Sequence, residues 1–375
     1  MNDAFTLDSS ALHDLLLGAT LFGGGGGGPR SGALPLIDYI ERLGTPPRLL
    51  PLSALPDALT AGVVAGIGAP DAATHGPAFT TAPRRAFTEL AQASGRSLGA
   101  VLPGETGAMN SIIPALVAAQ LGLPLVDADS AGRALPTLGL AAYNLAAPPS
   151  PLILANEPGP GVDAVDAVLR APSPDDTDAL VRGLVETPAF GQAGAFATWV
   201  LTRRQLAGTC VPGSVSRAIR VGATLREVQA RGLDPLTALR AVLPAVYLLA
   251  SGVVTRVTEQ EGGGFDMNRI ELDTGGRRVV VVGQNENLIA WRDDDSRPIA
   301  TAPDILAWLS PEGEPLSNTE ITPSSVGRPL LLLGLPADPL LREAPLAGRF
   351  ARLLGEIGYF GKAVPAGTGP RHAHE

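Results

Sequence analysis

The chain predicts an α/β protein of two domains, a three-layer α/β/α N-terminal domain and a mostly β, barrel-like C-terminal domain. Its 375 residues exceed what one ordinary hydrophobic core organises. Between residues 62 and 155 short apolar runs alternate with helical segments, the pattern of βαβ crossovers. From residue 251 onward β runs follow one another across glycine-rich turns, which favours a small barrel or sandwich. The expected division is 1–170 for the α/β domain, 171–365 for a β-rich domain with a few helices, and 366–375 for a disordered tail.

Asp8, Ser9 and Ser10 offer a cap for an apolar helix that stops at six consecutive glycines, Gly23 to Gly28. Leu36, Ile37 and Ile40 then recur at helical spacing within 34–43. Strands are expected over 62–68, 98–102, 123–126 and 152–155, with helices over 84–93 and 111–121 between them. Right-handed crossovers would set these strands parallel in one sheet. Residues 171–176, rich in proline and acid, mark a boundary. Beyond it helices are expected over 215–231 and 235–243, and β runs over 251–258, 269–273, 277–282, 287–291 and 330–335.

With 45% hydrophobic and 17% charged residues and a mean hydropathy of +0.20, the chain can bury a sizeable core. A formal charge of -9 argues against nucleic acid or an anionic membrane as the main partner, since both need a basic face. A small molecule is the expected ligand, and a homo-oligomer stays open. One cysteine excludes a disulfide framework within the chain, and no basic, apolar leader opens it, so a cytoplasmic location is expected.

Two segments carry acid at the end of an apolar run: Val101 to Thr106, with Glu105, and Leu125 to Arg133, with Asp127 and Asp129. One helix separates them, so both should reach the same sheet edge, where open α/β folds bind ligands. Alternation along a strand lets Asp127 and Asp129 aim together. Such a pair suits a general acid and base, a carboxylate-bound divalent metal, or an ion pair with Arg133; alternatively one aspartate caps the following helix while the other pairs with Arg133. Glu105 is a candidate base, or an acid favoured at a helix amino end. Asn110 and Ser111 precede Pro114 and offer a cap, which is compatible with substrate contact at Asn110.

The glycines follow a helix and lack the ending of a P-loop, so no nucleotide cofactor is expected. Gly24, Gly25 and Gly26 then form either a ligand-facing backbone loop or a close packing contact. His13, His75, His372 and His374 show no ligand spacing, and Cys210 stands without a histidine partner, as an inert thiol would. Asn285, Glu286 and Asn287 interrupt two apolar β runs, as a polar hairpin turn or as a contribution to the site.

These residues together resemble the family long known as DUF917 and associated with S-methyl thiohydantoin desulfurase, from about residue 12 to about residue 365. The resemblance rests on the glycine run, on Glu105 through Ser111, on Asp127 through Pro136, on Gln284 through Ala290 and on Ala300 through Ile305. It implies hydrolysis of an S-methyl thiohydantoin to a hydantoin with loss of methanethiol, with Glu105, Asp127 and Asp129 as the available carboxylates. Gly24, Gly25, Gly26, Asn110, Arg133, Asn285, Glu286 and Asn287 would then contact substrate. Another cyclic amidohydrolase, or a noncatalytic partner of a hydantoinase or oxoprolinase, are the alternatives. Two departures stand out: Pro29 and Arg30 follow Gly28 where the family commonly has Asp-Pro, and Thr106 stands where isoleucine is frequent.

Overall fold

The computed structural model describes residues 5–68, 78–262 and 265–368. His75, His372 and His374, and residues 369–375 of the expected tail, lie outside them; Ala366, expected in the disordered tail, is instead buried, with its N–H donating to Asp304 Oδ2 at 2.7 Å.

Among these residues the first sheet has nine strands, eight of them in the spatial order Phe5–Thr6, Arg48–Pro51, Leu125–Asp129, Ala100–Pro103, Thr60–Gly68, Ala193–Thr202, Leu152–Ala155, Asp166–Leu169. The ninth, Val211–Pro212, pairs with Leu125–Asp129. Arg48–Pro51, Leu125–Asp129, Ala100–Pro103 and Thr60–Gly68 run parallel. The expected strand Leu152–Ala155 forms, but Ala193–Thr202 enters antiparallel between it and Thr60–Gly68. The sheet is therefore mixed, a correction to the parallel sheet expected. A strand buried on both faces lacks the alternation that would have marked it in the sequence.

Successive side chains of the central strands serve two cores. Val64, Val101 and Leu125 face one side, under the helices Ser9–Gly23, Arg30–Leu43, Ala82–Ser94 and Ala108–Leu121. Val63, Leu102 and Val126 face the other, where Val181 and Val185 of the helix Pro174–Val185 cover them. That helix opens at Ser173, whose side chain caps Asp176 N–H, with proline in the first turn. Those start signals lie inside the segment read as a boundary.

The second sheet is antiparallel throughout, in the order Pro298–Thr301, Glu286–Arg292, Arg278–Gln284, Phe265–Asp273, Tyr247–Gly262, Pro329–Leu335, Ile305–Leu309, Pro315–Leu316. It curls into a half-barrel over Trp308, Ile270, Leu272, Val279 and Leu332. The curl brings strands that are not neighbours into contact: Asn287 Nδ2 donates to Leu306 O at 2.8 Å.

The helix Ser9–Gly23 joins the two domains, since its buried face shares a core with Ile305, Ala307 and Leu309. It also packs tightly on the helix Ser214–Arg231, where a Cβ at Gly18 would sit 1.8 Å from Ala218 O. Glycine is required there by close backbone approach.

Candidate active site at the domain junction

A pocket of about 780 Å³ of atom-free space, its mouth included, opens where the carboxyl ends of Thr60–Gly68 and Ala100–Pro103 meet the second domain. The first sheet and its connections supply Glu105, Met109, Asn110, Phe196 and Trp199, the last two from Ala193–Thr202, which belongs to that sheet although it lies beyond residue 170, and the second sheet supplies Asn285 and Glu286. An apolar concavity with a few convergent polar groups is the usual form of a small-molecule site.

Glu105 follows a strand end and turns into this pocket. Its Oε1 accepts from Asn110 Nδ2 at 2.7 Å and its Oε2 from Leu135 N–H at 2.7 Å. Asn110 is itself fixed, accepting from Gly66 N–H at 2.8 Å. Burial pushes the Glu105 carboxyl up to about 7, with the Asp129 charge adding to the rise. The Asn110 and Leu135 hydrogen bonds and the Arg133 charge act against that rise.

Glu286 reaches the same pocket from the tight turn between Arg278–Gln284 and Glu286–Arg292, in which Asn285 takes a left-handed conformation at φ 59°. Asn285 Oδ1 accepts from Asp266 N–H at 2.9 Å and its carbonyl from Asn318 Nδ2 at 2.8 Å, which fixes the turn. Glu286 is 2% exposed. Burial, then the nearby Glu105 charge, raises its carboxyl well above the usual carboxylate range. Its Oε2 finds no hydrogen-bond partner among the described residues, and neither does the buried Arg133 Nη2.

Asp127, Asp129 and Arg133 do not join Glu105 in this pocket, a correction to the single carboxylate cluster expected. Asp127 accepts from Ser216 N–H at 2.9 Å, so it caps the helix Ser214–Arg231, whose own N-cap is the side-chain-less Gly213. Asp129, fully buried, accepts from Ala131 N–H at 3.1 Å and Gly132 N–H at 2.6 Å, and from the Thr106 hydroxyl. Thr106 thus satisfies a buried carboxylate whose own value burial raises to about 6. Arg133 donates to Pro303 O at 2.6 Å, Asp304 O at 3.0 Å and Ala134 O at 2.9 Å, tying the two domains together behind the site. It pairs with neither aspartate. Alternation aimed both aspartates at one face of the sheet, but helices and turns on that face claimed them.

The glycine run packs between the domains. Gly24 O accepts from Asn287 N–H and Gly25 O from Asn318 N–H, each at 2.8 Å. A Cβ at Gly26 would lie 1.9 Å from Glu286 Oε1, and one at Gly27 would lie 2.3 Å from Gly107 Cα. Gly24, Gly25 and Gly26 therefore seat the second domain, while Gly27 and Gly28 line the pocket. The helix Ala108–Leu121 begins before Asn110 and Ser111, so neither is its N-cap; Gly27 O takes the N–H groups of Met109 and Asn110 instead. Asn287 is fully buried and outside the pocket. Arg30 turns to the second domain, donating to Pro315 O at 2.6 Å. Cys210 is buried, its thiol pushed up to about 12, as an inert group requires.

Three pocket residues, Asp178, Arg182 and Trp199, are not among those the sequence singles out. Arg182 Nη2 donates to Pro136 O at 2.6 Å and its Nε pairs with Asp178 at 2.7 Å, while Asp178 Oδ1 accepts from Leu138 N–H at 2.9 Å. The pair clamps the loop that brings Leu135 N–H to Glu105. Arg182 also lies over the Phe265 ring at 3.6 Å, across the domain junction. Trp199 sits at a bulge with φ 46°, which turns its ring into the wall against Tyr143. The helix start at Ser173 was the available signal for Asp178 and Arg182; for Trp199 there was none.

Among the described residues no three His, Cys, Asp or Glu side chains gather as a metal site, and no helix is long and apolar enough to cross a membrane.

Two family models match the chain: S-Me-THD-like, N-terminal domain, over residues 10–162, and S-Me-THD-like, C-terminal domain, over residues 173–350. A crystal structure of a protein from Chromobacterium violaceum is similar at 33% identity and a TM-score of 0.81, over 97% of this chain and 99% of that one. No curated protein matches.

Proposed function

The chain belongs to the S-Me-THD-like family, and from that premise we propose that it is a hydrolase that converts an S-methyl thiohydantoin to the hydantoin with release of methanethiol. The observation that carries this reading is the pair Glu105 and Glu286 in one largely apolar pocket, with one carboxyl at about 7 and the other well above its usual range. Near neutral pH the first serves as a base and the second as an acid, the division of labour that attack of water on a ring carbon needs.

In the first step Glu105 takes a proton from water as the hydroxyl adds to the carbon bearing sulfur, and Glu286 gives its proton to the ring nitrogen. In the second the carbon–sulfur bond breaks with its electron pair on sulfur. Protonated Glu105 delivers its proton to the methanethiolate, and the Glu286 carboxylate takes the hydroxyl proton as the carbonyl forms. Both groups return to their starting states. The apolar wall of Phe196, Trp199 and Met109 suits a methylthio group and keeps bulk water from the carboxyls.

Methanethiol release from S-methyl thiohydantoins, measured with and without a chelator, tests the reading. Stoichiometric methanethiol and hydantoin are expected, and both are to be lost together in Glu105→Gln. Turnover of other cyclic amides without methanethiol would place the chain among hydantoin-type amidohydrolases, and no turnover alongside tight binding to a hydantoinase or oxoprolinase would make it a noncatalytic partner.

A further inference from the structure

A second cleft lies on the far side of Leu125–Asp129 from the junction pocket, between the end of Arg48–Pro51, the short helix Arg203–Leu206 and the start of Ser214–Arg231. Four arginines line it: Arg203, Arg204, Arg217 and Arg220. Its two acids are already engaged, since Asp127 caps Ser216 and Asp57 pairs with Arg203 at 3.3 Å. Neither Arg204 nor Arg220 has an ion-pair partner among the described residues. Arg217 donates from Nη2 to Gly132 O at 3.2 Å and stacks over Phe22 at 4.5 Å, yet its buried Nε has no acceptor.

In a chain of net charge -9, placing Arg204 and Arg220 at one concavity without an ion-pair partner for either costs energy. Burial lowers the Arg217 value and the Arg220 charge adds to the fall, while the charges of Asp129 and Asp338, outside the cleft lining, act against it. The helix amino end contributes little, because Asp127 occupies it, so the unmet demand is for oxygen acceptors facing guanidinium groups. Planar forks of N–H donors match phosphate and carboxylate oxygens in charge and geometry.

We propose that this cleft binds a compact multivalent oxyanion, a phosphate ester or polycarboxylate, held by Arg204, Arg217 and Arg220. The site is separate from the junction pocket and does not depend on the hydrolase reading.

Calorimetric titration of the full chain with pyrophosphate, and separately with citrate, in phosphate-free buffer of low ionic strength tests it. Saturable one-to-one binding is expected. The double variant R204Q/R220Q, altered at two exposed positions, should weaken it by about tenfold or more, the effect of losing roughly 1.4 kcal/mol. R231Q/R297Q removes the same charge elsewhere and should keep the affinity within about twofold. Binding of both probes supports a general oxyanion site, and binding of pyrophosphate alone narrows it to phosphate. Absence of saturable binding by either probe, unchanged binding in R204Q/R220Q, or equal losses in the two double variants would overturn the proposal.

Discussion

Glu105 and Glu286 line the same pocket from different domains, and the charge of the first raises the carboxyl of the second. Two carboxyls so placed avoid ionising together, which leaves one as acceptor and the other as donor over a range of pH.

Removing either carboxyl should therefore stop chemistry more than binding. Glu105→Gln and Glu286→Gln are expected to lower kcat by about 100-fold or more with KM changed by less than about threefold. The double variant should lose little beyond the worse single one, because the residues act as a unit. Steady-state kinetics of methanethiol release checks both points.

Asp129→Asn tests a different role. Asp129 is a fully buried acceptor for Thr106, Ala131 and Gly132 and has no face on the pocket. Turnover should stay within about fivefold of wild type, while Asp129→Ala, which orphans buried donors, should cost about 1–3 kcal/mol in chemical denaturation. A 100-fold loss of kcat in folded Asp129→Asn would falsify this assignment.

The glycine run makes two separable predictions. At Gly26 an added Cβ meets the Glu286 carboxylate, whereas at Gly27, with φ 78°, it meets the Gly107 backbone. Gly26→Ala should fold and lose turnover because a side chain can give way. Gly27→Ala should lose stability by roughly 2 kcal/mol or more, because both backbone strain and a backbone clash oppose it. Melting curves and kinetics on the two proteins separate the effects.

Arg182 should act on rate through Glu105. Loss of its bond to Pro136 frees the loop that presents Leu135 N–H, a bond that lowers the Glu105 value. In Arg182→Gln the acid limb of the kcat/KM profile should move to higher pH from its position near 7. A merely structural role would lower the whole profile without moving it.

Stability should fall as pH rises through neutrality. Glu105 rises from 4.5 to about 7 and Asp129 from 3.8 to about 6 on folding, so the folded state holds protons that the unfolded state has released. Their stabilising contribution is complete below about pH 4 and is lost as pH passes 7. Glu105→Gln should flatten this dependence and raise the melting temperature above pH 7, measured from pH 4 to 8.

Glu105 was legible in the sequence because a glutamate just past an apolar run, before a helix, has few other places to go. Asn285 and Glu286 were visible as a polar interruption, although nothing local said that the turn meets Glu105. The reading of Asp127 and Asp129 as a pair was local geometry without its surroundings: Ser216 N–H, far along the chain, claims the first, and an Asx-type turn claims the second. Arg182 was hidden because the proline and acid of 171–176, which in the sequence mark a boundary, are the start of its helix.

The sequence by itself determined most of the segments, the presence of an α/β part and a β part, the family and the loop that carries Glu105; the strand Ala193–Thr202 and the helix Pro174–Val185, which join the first sheet from beyond residue 170, were not among them. The features it determined follow from residue spacing and from short-range backbone chemistry. Only the tertiary structure decided that Glu105 shares its pocket with Glu286 and not with Asp127 or Asp129, that Arg133 joins domains, and that Gly26 gives Glu286 its room. Burial, proton affinity and the sharing of a pocket are set by contacts between residues distant in the chain, and no local pattern encodes them.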